Sequence, residues 1–220
     1  MAKVAIDPGH RKDTPGKRYA DFLEWEFNDD VAKRLKRYLE QNDIDTLLTI
    51  ETDTHPYPDT GTGESKNLQL RASKTNEWGA DIFVSIHANA HSNTSVQGYE
   101  SFIYSPGGEK ERLARLIENR AREYLPELKS RGIKTANFAV LRRTIMPAVL
   151  VEHGFFTNDH DRALLKTDEF RERCALHLAT GICDYFAMPF KGEVKMNPVR
   201  EFQAKYNLAA DGIIGPETRG

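Results

Sequence analysis

The sequence has few cysteines, no long apolar run and almost no net charge. Its two cysteines, Cys174 and Cys183, fall in one predicted helix and are separated by roughly 13 Å, which is too far for a disulfide. No apolar stretch approaches the roughly 18–20 residues that a membrane span requires. The formal net charge of −2 gives no electrostatic reason to expect nucleic acid as a partner. These absences predict a soluble globular protein, without membrane insertion and with free, buried thiols.

Short strand-like runs alternate with helical periodicity along most of the 220 residues. The clearest run lies within 82–86, where β-branched and aromatic residues predict a strand that is buried on both faces. Such alternation predicts an α/β fold, with a single mostly parallel or mixed sheet flanked by helices. The other predicted strands are Lys3–Asp7, Thr46–Ile50, Gly98–Tyr104, Phe138–Leu141 and Ala148–Glu152, and the helices are Glu26–Gln41, Asn67–Trp78, Glu109–Tyr124 and Asp168–Phe186.

The composition changes near residue 187, where the predicted α/β domain ends. Residues 188–198 contain two prolines and a glycine with little periodicity, which predicts a linker. A helical pattern restarts over 199–220 and is followed by a turn-rich segment. That segment is too short to bury a core, so it predicts part of a small helical module.

Polar side chains follow three of the predicted strands. His10 comes after the first strand, His87 ends the third, and Glu152 ends the last. Because α/β folds bind ligands at strand ends, these residues can share one cleft, and Glu24 before the first helix can join them. Two imidazoles and a carboxylate form a ligand set typical of catalytic zinc, and a further carboxylate can act as general base.

Each of these residues also has a structural interpretation that the residues alone leave open. His10 can hydrogen-bond the turn it follows, and His87 can be a satisfied structural group. Glu24 lies beside Glu26 in an acidic first turn, where carboxylates stabilise a helix N-terminus in any case. Glu152 is harder to explain structurally, because it follows an apolar run and a buried carboxylate without a partner is costly.

Four segments together resemble one family, the zinc-dependent N-acetylmuramoyl-L-alanine amidases of the amidase-3 type, found in bacterial autolysins and phage endolysins. The matching segments occur in the family's order and cover nearly all of residues 1–187. They are Val4–His10, Glu24–Phe27, Ala80–Ala90 and Met146–Asn158.

The resemblance implies that His10, Glu24 and His87 bind Zn²⁺ and that Glu152 is the catalytic carboxylate. The family's spacing to the apolar helix positions selects Glu24, with Glu26 as the alternative if the helix start is shifted. The expected reaction is hydrolysis of the amide between N-acetylmuramic acid and the L-alanine of the stem peptide, with bacterial peptidoglycan as the partner. One departure is that Arg11-Lys12-Asp13 replaces the usual glycine-rich continuation after the first histidine.

Several further expectations accompany this assignment. Asn89, Arg131 and Asn137 are candidates for substrate contacts, since each lies near a motif on a predicted loop. The tail over 199–220 resembles about half of a type 1 peptidoglycan-binding module. We expect a monomer made in the cytoplasm without a signal peptide, which acts on the wall after release, as a phage endolysin or mother-cell lysin does.

Two other functions stay open at this point. The same metal chemistry would allow a zinc peptidase that acts within the stem peptide. A wall-binding protein with an inactive catalytic domain is the other alternative, and the presence of all four chemical residues argues against it.

Overall fold

The computed structural model describes residues 1–20, 22–51 and 66–192. The predicted module over 199–220, most of the linker over 188–198 and most of the loop over 51–63 lie outside these residues. One compact unit covers Met1–Phe190 and contains the sheet and helices described below.

Six strands form one mixed sheet, in the spatial order β4-β1-β5-β8-β6-β7. The strands β4, β1, β5 and β8 run parallel, β6 pairs antiparallel with β8, and β7 is parallel to β6 at the edge. The short strands β2 and β3 form a separate antiparallel pair. Within the described residues the strands are β1 Lys3–Pro8, β2 Arg18–Tyr19, β3 Phe22–Leu23, β4 Asp45–Leu48, β5 Ile82–Asn89, β6 Tyr99–Ile103, β7 Ser130–Thr135 and β8 Ala148–Phe155.

Helices cover both faces of this sheet, which confirms the predicted fold class. The helices α1, α3 and α6 share a large apolar cluster with one face, and α2 and α4 pack with each other over a smaller cluster on the other face. The described helices are α1 Glu24–Gln41, α2 Lys66–Trp78, α3 Gly108–Tyr124, α4 Ala139–Arg143, α5 Asp159–Leu165 and α6 Asp168–Tyr185.

The apolar patterns of the sequence correspond to these buried faces. Every fourth residue of α1, from Phe27 through Val31 and Leu35 to Leu39, is fully buried, and so is the apolar run of β5. Cys174 and Cys183 are free and buried in α6, as predicted. None of the helices within the described part of the chain is long and apolar enough to cross a membrane.

One predicted strand is a helix in the structure, and the structure contains short elements that the sequence did not predict. The segment Phe138–Leu141 is predicted as a strand, but Phe138 precedes the short helix α4. Val140 and Leu141 of this helix are buried in the smaller apolar cluster. The strand β7 was not predicted, because an edge strand needs no buried alternation and its sequence SRGIKT is mostly polar. The helix α5 was also not predicted, since its seven residues are too few for a periodic signal.

Candidate metal centre and active site

Three side chains converge at the carboxyl ends of the parallel strands. His10 lies just after β1, His87 is near the end of β5, and Glu24 is the first residue of α1. One ligand atom from each of the three lies within 4.8 Å of the others. The structure therefore brings together the three residues predicted as metal ligands, and they form a candidate metal-binding triad.

Glu24 is the centre of this triad. Its Oε1 lies 3.0 Å from His87 Nδ1 and its Oε2 lies 3.2 Å from His10 Nε2. The Lys17 backbone N–H donates a further 2.8 Å hydrogen bond to Oε2. Burial raises the pKa of Glu24, but the hydrogen bonds and charges of the two imidazoles outweigh it and hold the pKa well below its usual range. Glu24 is therefore an ionised carboxylate.

The alternative ligand, Glu26, is not part of this group. Glu24 is 2% exposed, whereas Glu26 is partly exposed and contributes no atom to the triad. The helix starts at Glu24, and the side chain of this residue lies against the His10 and His87 rings at the strand ends.

Two glycines let the backbone approach these ligands. A Cβ on Gly9 would lie 2.2 Å from the His87 ring, and one on Gly16 would lie 2.5 Å from both Glu24 Oε2 and the His10 ring. Gly16 also has a φ of +74°, a region that favours glycine. The loop after β1 is thus packed directly against all three ligands.

A buried ion pair fixes the backbone of this loop. Arg71 of α2 donates to Asp7 Oδ1 at 2.7 Å, to the Pro8 carbonyl at 2.6 Å and to the His10 carbonyl at 2.9 Å. His10 itself has a φ of 64°, which is uncommon for a residue with a side chain. The Arg71 hydrogen bonds hold the chain in this conformation and so set the direction of the His10 ring.

Asp7 is the anionic partner in this network. Besides Arg71, it accepts hydrogen bonds from Thr49 Oγ1 at 2.5 Å and Ser85 Oγ at 2.7 Å. Burial raises the pKa of Asp7, but the Arg71 charge and these hydrogen bonds outweigh it, and the net pKa is lowered. Neither Asp7 nor Arg71 was singled out from the sequence. A charged residue inside the apolar run of β1 was the available signal, because a buried carboxylate requires a partner.

Glu152 lies next to the triad across the sheet. It is the direct register partner of His87 on β5 and of Glu100 on β6. Its Oε2 is buried and has no hydrogen-bond partner among the described residues. Burial, followed by the like charges of Glu24 and Glu100, raises the pKa of Glu152 well above its ordinary value. A carboxyl group whose pKa is raised in this way suits proton transfer near neutral pH.

Two of the three predicted substrate contacts meet at Glu100, which sequence reasoning missed. Asn89 Nδ2 and Arg131 Nε each donate to the Glu100 carboxylate at 2.8 Å, and Lys134 Nζ donates to it as well. The third candidate, Asn137, lies just before α4 and accepts a hydrogen bond from Arg142 through its side-chain oxygen.

Behind Glu152, two fully buried histidines form a pair. His153 Nε2 lies 2.8 Å from His177 Nε2 of α6, and His153 Nδ1 lies 3.4 Å from the His87 carbonyl. Burial lowers the pKa of His153 to about 3 and that of His177 well below its ordinary value. Both imidazoles are therefore neutral, and they lie between the site and the buried core.

The triad fits a zinc ion by its chemistry. Two imidazole nitrogens and one ionised carboxylate match the borderline-soft preference of Zn²⁺, and a three-residue set is the usual protein contribution at catalytic zinc. Separations of 3.0 and 3.2 Å between the Glu24 oxygens and the histidine nitrogens are short enough for one ion to contact all three side chains. The two cysteines cannot contribute, because both are buried in α6.

Fold and site together define an α/β protein with a candidate histidine–glutamate metal-binding triad, and comparison with known proteins identifies its family. The family model for N-acetylmuramoyl-L-alanine amidase of the amidase-3 type matches residues 4–184. The N-acetylmuramoyl-L-alanine amidase CwlM of Bacillus licheniformis is 34% identical over 188 residues, which are 84% of this chain and 69% of that protein. The chain belongs to this amidase family.

A second relative and a solved structure agree with this assignment. The sporulation-specific N-acetylmuramoyl-L-alanine amidase of Bacillus subtilis (strain 168) is 33% identical over 215 residues, covering 97% of this chain and 79% of that protein. The catalytic domain of CwlV, an N-acetylmuramoyl-L-alanine amidase from Bacillus (Paenibacillus) polymyxa var. colistinus, superimposes with a TM-score of 0.77 at 30% identity. That match covers 86% of this chain and 100% of the other.

Proposed function

We propose that this chain is a zinc-dependent peptidoglycan hydrolase that cuts the amide between N-acetylmuramic acid and the L-alanine of the stem peptide. The observation that carries the proposal is the side-by-side arrangement of the His10–Glu24–His87 triad and the unpartnered Glu152 carboxyl in a member of the amidase family. His10, Glu24 and His87 would hold the ion. When bound, zinc supplies Lewis acidity that polarises a carbonyl and lowers the pKa of water.

Glu152 is the group that moves the protons. Its carboxyl has one oxygen without a hydrogen-bond partner, so it is free to accept a proton from the attacking water. An amide needs its leaving nitrogen protonated, and the same carboxyl then donates that proton to the alanine nitrogen. The raised pKa of Glu152 makes its carboxylate a stronger base towards the attacking water, and the proton it accepts is the one it later gives to the alanine nitrogen.

The other residues of the site orient these groups. Glu24 is ionised and bonded to Lys17 N–H, which fixes the carboxylate between the two imidazoles. Arg71 fixes the loop that carries His10. We assign to Asn89 and Arg131 a position beside the reacting amide, through their shared partner Glu100.

The test is digestion of purified peptidoglycan with analysis of the products by mass spectrometry. An amidase releases stem peptides with a free L-alanine amine and leaves the glycan intact, and this is the result we expect. Fragments cut within the stem peptide would instead identify a peptidase. Products of that second kind alone would overturn the proposal.

Variants at two nearby glutamates separate the catalytic carboxyl from general charge effects. Glu152→Gln is expected to lose roughly 10²–10⁴-fold in turnover while it keeps its metal. Glu26→Gln is the matched control, because Glu26 is a partly exposed glutamate near the site and outside the triad. Near-normal activity in Glu152→Gln would show that the base is another group.

We also propose that the protein acts on the cell wall after release, as a mother-cell lysin or phage endolysin does. The similarity to a sporulation-specific amidase supports the wall as its target. A contribution of 199–220 to wall binding and a monomeric state also stay predictions. Pull-down with insoluble peptidoglycan and sedimentation analysis test them.

A further inference from the structure

The basic side chains around Glu100 form a charged patch beside the active site. Arg131 and Lys134 come from the edge strand β7, and both donate to the one carboxylate of Glu100. Glu100 is buried, with 5% of its side chain exposed, whereas 32% of the Arg131 side chain and 39% of the Lys134 side chain are exposed. The patch therefore presents cations to solvent over a buried anion.

The patch has hydrogen-bond donors to spare. Arg131 uses Nε on Glu100 and reaches the Gln97 carbonyl with Nη1 at 3.5 Å, while its Nη2 has no hydrogen-bond partner among the described residues. The guanidinium is 5.2 Å from the Phe155 ring centroid, which fixes its plane. Lys134 has three donors and uses one on Glu100.

The patch also carries an excess of positive charge. Arg131 and Lys134 both contact the one carboxylate of Glu100, so two cations share a single negative charge. Guanidinium and ammonium groups form their strongest hydrogen bonds with anionic oxygens. The group that completes the patch is therefore a carboxylate rather than a sugar hydroxyl or an amide.

The position of the patch relates it to the scissile bond. Glu100 is the register partner of Glu152, which is the register partner of His87. Neighbouring strands are about 4.8 Å apart, so the Glu100 backbone is roughly 5 Å from that of Glu152 and roughly 10 Å from that of His87. One extended residue spans about 3.3–3.6 Å, so Glu100 is about two residues away from an amide held between Glu152 and the triad.

We propose that Arg131 and Lys134 form a subsite for a free carboxylate within the first two residues of the stem peptide, so that the chain prefers an acidic stem over an amidated one. This inference rests on the proposed function and adds its substrate class. The Glu100 carboxylate, held by Asn89 on its other side, keeps both cations at the edge of the cleft.

The experiment compares two synthetic muramyl peptides that differ only at the second stem residue, which carries either a free α-carboxylate or a carboxamide. The ratio of kcat/KM for the acid to that for the amide is measured in wild type, Arg131→Met and Lys134→Met. We expect wild type to prefer the acid by roughly tenfold or more, as one lost charge-assisted contact would give. The ratio should fall towards one in both variants.

Lys33→Met is the matched control. Lys33 is an exposed lysine on α1 that pairs with Asp29, and the acid-to-amide ratio should not change in this variant. An unchanged ratio in both Arg131→Met and Lys134→Met, or equal cleavage of the two peptides by wild type, would overturn the subsite and leave the proposed amidase function standing. Failure of zinc-loaded wild type to cleave either peptide would overturn both proposals.

Discussion

Arg71→Met is predicted to destabilise the fold and loosen the metal site together. The substitution removes the cation that contacts Asp7 and the carbonyls of Pro8 and His10, while methionine fills a similar volume. Both members of the ion pair are almost fully buried, with 4% and 2% of their side chains exposed. The Asp7 charge would then be left inside the protein with hydroxyl partners only.

The magnitude follows from that unpaired charge. Removing one partner of a buried ion pair costs about 3–5 kcal/mol, and the hydrogen bonds that Asp7 keeps from Thr49 and Ser85 put the expected loss near the lower end. For a domain of this size, about 3 kcal/mol corresponds to a fall in Tm of roughly 6–12 °C. Urea unfolding, monitored by circular dichroism in the presence of a chelator, measures the loss without the contribution of metal binding.

A double-mutant cycle tests the cause. In Asp7→Asn/Arg71→Met no charge is left unpaired, so the double variant should be less destabilised than the sum of the two single variants. Arg37→Met is the control, because Arg37 lies on the surface of α1 and should change stability by no more than about 0.5 kcal/mol. A loss below about 1 kcal/mol in Arg71→Met, or strict additivity in the cycle, would refute this reasoning.

Three further predictions concern groups around the triad. Gly9→Ala should weaken zinc binding by roughly 10–100-fold in a chelator competition, because the added Cβ would lie 2.2 Å from the His87 ring. An unchanged Kd for zinc would show that this close packing does not matter for the ligand. Glu100→Gln removes a like charge that raises the pKa of Glu152. The acidic limb of the pH profile of kcat/KM should therefore move to lower pH. A shift of that limb to higher pH would count against Glu152 as the base. The pKa of His153 is about 3 in the folded protein and about 6.5 in the unfolded chain. The contribution of neutral His153 to the free energy of unfolding is therefore fully present above pH 6.5. It is lost as pH falls from 6.5 towards 3, by up to about 1.4 kcal/mol per pH unit. Urea melts at pH 5 and pH 7 should show a smaller difference for His153→Gln than for wild type, and an equal difference would contradict this.

The parts of the fold that the sequence predicted correctly are those with two-sided or periodic burial. The apolar run of β5 and the four-residue period of α1 each have one favourable arrangement, because any other would expose a row of large side chains. The edge strand β7 has no such constraint. Its residues are held by pairing with β6 and by the Arg131 and Lys134 contacts to Glu100, which depend on the tertiary structure.

The candidate site was predictable to the same extent. His10, His87 and Glu152 follow or end predicted strands, and parallel strands bring their carboxyl ends to one edge, so convergence follows from topology. The choice of Glu24 over Glu26 depended on the resemblance, through the family's spacing between the ligand glutamate and the apolar positions of α1, and the structure places Glu24 in the triad. The Arg71 network could not be predicted, since it joins residues that are more than 60 positions apart and has no local pattern.

The measurement that tests the central claim most directly is metal content by elemental analysis of wild type, His10→Ala and His87→Ala, with folding of each checked by circular dichroism. The proposed site predicts about one zinc per wild-type chain and loss of zinc from both folded variants. Full zinc in either variant would show that its histidine is not a ligand and would contradict the proposed mechanism.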